Sequence, residues 1–156
     1  MAASQGNFTI TAIAASNGHS IIQCWQLYAP VQLSNVSGTA GASNTQLGSV
    51  ESCAYTIIPP NFDGGLHNAP AAQYVSFLSG SAHITVPGSQ DEAVVDGGAD
   101  GLIIVTDTVD VSKQGHRTVY PEDNPTVALQ IPLERGRIPK HIVLHSGPCT
   151  VHAKRC

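Results

Sequence analysis

Apolar residues recur along this chain in short runs, alternating or nearly so, and each run is stopped by glycine, proline, asparagine or aspartate. Strands are expected near residues 8–14, 21–27, 46–47, 51–58, 73–78, 82–86, 92–95, 102–106, 116–120, 126–131 and 141–145. The breaks between them are explicit: Pro59-Pro60-Asn61-Phe62-Asp63-Gly64-Gly65, Pro87-Gly88-Ser89, Gly97-Gly98-Ala99-Asp100-Gly101 and Pro121-Glu122-Asp123-Asn124-Pro125. Short strands at such regular spacing predict an all-β sandwich or barrel. No stretch carries apolar residues at a 3.6-residue period, so the pattern predicts at least about eight strands and less than ~12% helix.

Size and composition narrow the picture. A chain of 156 residues is one compact domain, and no linker or repeat divides it, so residues 1–156 are read as a single domain with its core at about 20–149. The small polar stretch at residues 36–44 reads as a mobile loop. Only 12% of residues are charged, which with many β-branched residues points to a neutral polar surface and away from disorder. The net charge is −4, and the seven Lys and Arg form no basic patch, so nucleic acid is not an expected partner. No apolar run approaches the ~18 residues of a spanning helix, so no membrane is expected either.

Two features favour secretion over the cytoplasm, which stays the alternative. There are two glycosylation sequons, at Asn7 and Asn35, and four cysteines, Cys24, Cys53, Cys149 and Cys156, without zinc-like spacing. Four cysteines allow three pairings, and the sequence does not choose among them. Residues 1–6 lack a charged start followed by an apolar stretch, so no signal peptide is expected in the sequence as written, with Met1-Ala2 read as a start that replaces a removed one.

The stretch that carries chemistry runs from Pro59 to Tyr120. Within it, His67-Asn68-Ala69-Pro70-Ala71-Ala72-Gln73 leads into the apolar strand Tyr74-Val75-Ser76-Phe77-Leu78 and then Ser79-Gly80. This resembles the first motif of the cupin family, in which H-x-H, a few residues, Glu, six residues and Gly surround a metal site in a barrel. His67 matches the first His, Gln73 occupies the Glu position, Gly80 falls in register, and Ala69 stands where the second His belongs. The second cupin motif is matched more loosely, by the turn at residues 97–101, the strand after it and Gly115-His116, without its Pro-x-Gly. The likeness covers residues 24–149 and is closest to small monocupins, secreted fungal ones among them.

The resemblance implies a single antiparallel cupin β-barrel or jelly roll, with His67, Gln73 and His116 converging as catalytic and metal-binding residues. Antiparallel strands aim alternate side chains inward, so distant residues can share one interior point. Imidazole nitrogens of His67 and His116 holding one metal would lie within about 5 Å of each other. Imidazole suits Zn, Fe, Ni or Cu, whereas an amide is a poor ligand, so this set with Asp107 nearby would hold a divalent cation less tightly than three His and a Glu. Three functional readings stay open: a metal-dependent oxygenase, isomerase or lyase acting on a small organic molecule; a metal-free barrel in which the same residues bind a ligand or move protons; and a secreted glycoprotein with a degenerate site. A homodimer joined through sheet edges is a further family expectation. Plainer roles compete, since His67 and His116 would serve equally as hydrogen-bonded interior histidines. His83 reads as a structural strand residue, and His141, His145 and His152 as surface residues. No G-x-S-x-G is present, and the glycines at 97–101 precede a strand with no Lys-Ser/Thr, so neither a serine nucleophile nor a nucleotide cofactor is expected.

Overall fold

A computed structural model describes residues 6–150. The alternation read from the sequence is borne out as an all-β architecture, with one three-residue 3-10 turn at Glu134–Gly136. Thirteen strands follow in order: β1 Asn7–Ser16, β2 His19–Pro30, β3 Gln32–Leu33, β4 Ser43–Asn44, β5 Ala54–Ile58, β6 Phe62–His67, β7 Gln73–Ser79, β8 Ser81–Thr85, β9 Glu92–Asp96, β10 Leu102–Val105, β11 His116–Tyr120, β12 Thr126–Pro132 and β13 His141–Ser146.

They form a seven-stranded sheet in the order β13-β2-β1-β10-β7-β12-β5 and a four-stranded sheet in the order β6-β11-β8-β9, with β3 and β4 as a separate pair. No closed barrel is formed among the described residues: β13 and β5 end the large sheet, and β6 and β9 end the small one. The large sheet is also mixed, because β1 runs parallel to β10 in the register Thr11↔Ile103 and Ile13↔Val105. Both features depart from the expected antiparallel barrel. Side-chain alternation reports which face of a strand is buried, and that face is the same whichever way the strand runs.

The two sheets pack face to face over one apolar layer. Ile13, Val75, Phe77 and Ile103 of the large sheet meet Ala82, Ile84, Ala93 and Val95 of the small one. A second cluster covers the other face of the large sheet, where Ile10, Trp25, Leu27, Tyr74 and Ile104 pack with Leu133 and with Leu47. Tyr74 donates its hydroxyl to the Leu47 carbonyl at 2.8 Å. Residues 46–47 are therefore a cover segment and not the expected strand. β1, buried on both faces from Thr9 to Ala14, sits centrally for this reason.

Three local differences matter. The end of the loop expected at residues 36–44 is a strand, with Gln32↔Asn44 and Leu33↔Ser43 paired, while residues 36–42 remain turn, where Thr39 N–H bonds the Val36 carbonyl at 3.0 Å. Next, β6 occupies residues read as a turn. Its Gly64-Gly65 pair forms a bulge against Arg117–Val119, with Gly65 at φ +65°, a conformation glycine adopts without strain. Last, the chain end is tied down: Cys149 bonds Cys24 of β2, with Cα atoms 4.6 Å apart, and the Cys149 N–H donates to Thr11 Oγ1. Cys53 is an exposed free thiol, and Cys156 and His152 lie outside the described residues.

Candidate functional site

The site begins with the pleat of β11. His116, Thr118 and Tyr120 turn into the space between the sheets, while Arg117 turns out. Opposite them β7 contributes Gln73, Val75 and Phe77, and β12 and β5 add Gln130 and Thr56. Together these side chains line a cavity of about 140 Å³ that opens to solvent. His67, at the end of β6, pairs directly with His116 in the β6–β11 ladder. Directly opposed residues place their side chains on one face, and the two rings stand 4.5 Å apart, centre to centre, at 60°.

Each of the three residues singled out from the sequence thus lines the same cavity. They are not equally enclosed. His116 and Gln73 are each 5% exposed, whereas His67 is exposed and stands at the mouth.

Hydrogen bonds fix which nitrogen of each imidazole faces an occupant. The His67 Nδ1–H donates to the Gly65 carbonyl at 2.9 Å, and the His116 Nδ1–H donates to Asp107 Oδ2 at 2.7 Å. A carbonyl or carboxylate can only accept, so each ring, when neutral, carries its proton on Nδ1 and leaves the Nε2 lone pair free.

Asp107 belongs to a buried network that the sequence did not disclose. Its side chain is fully enclosed, and Oδ2 also accepts from Ser20 Oγ at 2.6 Å. Ser20 Oγ lies 2.7 Å from Ser112 Oγ, which accepts from the Gly115 N–H at 3.1 Å. Asn68 Nδ2 donates to the carbonyls of Asp107 and Ser112, at 3.0 and 2.9 Å, and so holds the β10–β11 loop. Oδ1 of Asp107 has no partner among the described residues. The one legible clue was a carboxylate placed directly after an apolar strand; nothing in the sequence marked Ser20 or Ser112.

The rest of the lining is neutral. Among the described residues no Lys, Arg, Asp or Glu faces the cavity, and burial raises the Tyr120 phenol above its ordinary value, so it stays a hydroxyl. The Gln73 amide makes no hydrogen bond to the described residues and opens onto the cavity, whereas Gln130 Oε1 accepts from Thr56 Oγ1 at 2.9 Å. On the outer surface Arg117 forms a two-point pair with Asp63, its Nε at 3.1 Å from Oδ1 and its Nη2 on Oδ2. That pair and the Gly65 N–H hold the Asp63 carboxyl down at about 2.

This donor set does not fit a resident divalent cation of the kind the cupin motif implies. Ala69 supplies no ligand, the Gln73 amide is uncharged, and the Asp107 carboxylate is spent behind His116. Among the described residues no group of three or more His, Cys, Asp or Glu side chains comes together. Of the other histidines, His83 faces outward, 3.7 Å from Glu92. His141 departs from its expected surface role by stacking on Trp25, ring centres 3.5 Å apart and nearly parallel. His145 is exposed as expected.

No protein-family model matches the sequence, and no curated protein matches it.

Proposed function

We propose that this chain is a cupin-type β-sandwich that binds a small organic molecule between its sheets without a metal, with His67 and His116 as hydrogen-bonding and proton-handling groups. One observation carries the reading. Two imidazoles are opposed on one ladder, each with Nδ1 anchored and Nε2 free, at the polar end of a cavity with otherwise largely apolar walls. Pockets that bind small molecules have this make-up: apolar walls and a few convergent polar groups. An imidazole backed by a carboxylate can take a proton at Nε2 while the carboxylate steadies the resulting cation, as a general base requires.

The cupin assignment rests on His67, Gln73 and Gly80 falling on the family spacing and on the two facing sheets. An extracellular setting is part of the proposal, supported by the Cys24–Cys149 bond, which persists in oxidising compartments. So is glycosylation at the exposed Asn35. Pairing of two copies through the β5 edge is supported by the exposure of Tyr55 and Ile57 there, and light scattering of the purified chain tests it.

A fragment screen by NMR tests the central reading. Small neutral fragments should shift signals of His67, His116 and Gln73, and the His116→Ala variant should lose that response while staying folded. Fragments that bind only elsewhere, or a tight response to Zn²⁺ that displaces them, would overturn the metal-free site.

A further inference from the structure

Resting on the small-molecule reading above, we infer that the ligand is a neutral, single-ring molecule bearing a hydroxyl, of the phenol class. Size is the first argument. A cavity of about 140 Å³ is close to the ~150 Å³ that accommodates benzene in an apolar protein interior, so the occupant is about one six-membered ring with a small substituent. Its walls suit a ring: Phe77, Tyr120, Val75, Ile84 and Ile103 surround the space.

Charge is the second argument. With no Lys or Arg on the lining among the described residues, a carboxylate or phosphate would meet neutral walls and, while both rings are neutral, the lone pairs of two imidazoles. An ammonium would find no carboxylate, because Asp107 is fully enclosed behind His116. Burial of an unpaired charge is costly, so a neutral occupant is selected.

The polar atoms then specify the functional group. Both Nε2 atoms are acceptors and call for a donor. The Gln73 amide, 5% exposed and without a partner among the described residues, can donate, and the NH₂ of Gln130 remains after its oxygen has accepted from Thr56. One hydroxyl satisfies both sides, donating to an imidazole Nε2 and accepting from an amide NH₂. A hydrocarbon of the same shape leaves both unpaired.

Titration of the full chain with phenol, toluene and benzoate, followed on the imidazole signals of His67 and His116 and the side-chain amide of Gln73, tests the assignment. Phenol should shift all three sets saturably and bind at least about tenfold more tightly than toluene, the worth of a hydrogen bond to a buried group. Benzoate should not bind. In Gln73→Leu, phenol should weaken towards toluene while toluene is retained. Toluene binding as tightly as phenol would overturn the hydroxyl assignment and leave the small-molecule site standing. Benzoate binding more tightly than phenol would overturn the neutral one. If neither phenol nor toluene enters the cavity, and other neutral fragments also fail to reach it, the small-molecule reading falls as well.

Discussion

His67 and His116 are direct cross-strand partners, the last residue of β6 against the first of β11, with their rings 4.5 Å apart. Two backbone ladders therefore set their spacing, since β11 is also paired with β8 on its other side. A site mounted on strands in this way is held more precisely than one mounted on loops.

Gly115 permits that approach. Its φ is +74°, and a Cβ there would overlap the His67 carbonyl and come within 2.7 Å of the Asn68 nitrogen. Gly115→Ala should cost about 2–4 kcal/mol, from backbone strain combined with a steric clash. It should also push β6 away from β11. Urea denaturation measures the cost, and the imidazole NMR signals of His67 and His116 report the displacement. A variant as stable as the parent would show that the β6–β11 contact is looser than described.

The two histidines should differ in their effect on stability. His116 is buried and bonded to the enclosed Asp107, so His116→Ala leaves a carboxylate short of a partner and should cost about 2–4 kcal/mol. His67 is exposed, and His67→Ala should stay within about 0.5–1 kcal/mol of the parent. Both should impair ligand binding. Paired urea melts and fragment titrations separate the two effects, and equal destabilisation would contradict the buried His116–Asp107 contact.

How far the sequence disclosed this arrangement follows from what alternation encodes. The strands at residues 73–78 and 116–120 were legible as short runs bounded by turn residues, but which of their side chains face the cavity was not, because His116-Arg117-Thr118-Val119-Tyr120 does not alternate polar with apolar. β6 was not legible, because Phe62-Asp63-Gly64-Gly65 has the composition of a turn, and it is a strand through its pairing with β11, which the bulge at Gly64-Gly65 accommodates. Nor was the parallel β1–β10 pairing, since β1 is apolar on both faces and its sequence carries no sign of direction. Asp107 could be suspected from the sequence, but its link through Ser20 to Ser112 depends on contacts 87 and 92 residues apart.

Acid should break the surface pair between Asp63 and Arg117 only at low pH. Asp63 titrates at about 2 in the folded chain against an ordinary 3.8, first through its bonds to Arg117 and then through the Gly65 N–H. A lowered carboxylate contributes its stabilisation above the unfolded value and loses it as pH falls from about 4 through about 2. Both side chains are half exposed, so salt screens the pair and the contribution is small. In Arg117→Ala the Asp63 midpoint should rise towards 3.8, stopping short because the Gly65 contact remains. A carboxyl NMR titration reads this, and an unchanged midpoint would contradict the pairing.

The Cys24–Cys149 bond closes a separation of 125 residues and holds the chain end beside β1 and β2. Replacing both cysteines by alanine should cost about 3–5 kcal/mol, by the entropy a long closed loop removes from the unfolded chain. Alkylation without reductant should label Cys53 and leave Cys24 and Cys149 unmodified until reductant is added, as mass spectrometry of the peptides would show. Labelling of Cys24 in the untreated protein would count against the bond and against an extracellular setting.

The most direct test of the central claim is a long-range ¹H–¹⁵N NMR spectrum of the imidazoles, recorded with both rings neutral, with and without phenol. Both His67 and His116 should carry their proton on Nδ1, bonded to the Gly65 carbonyl and to Asp107, and phenol should shift their Nε2 signals far more than their Nδ1 signals. A proton on Nε2 of either ring, or no response of the pair to a ligand that binds the protein, would contradict a site built on two free Nε2 acceptors.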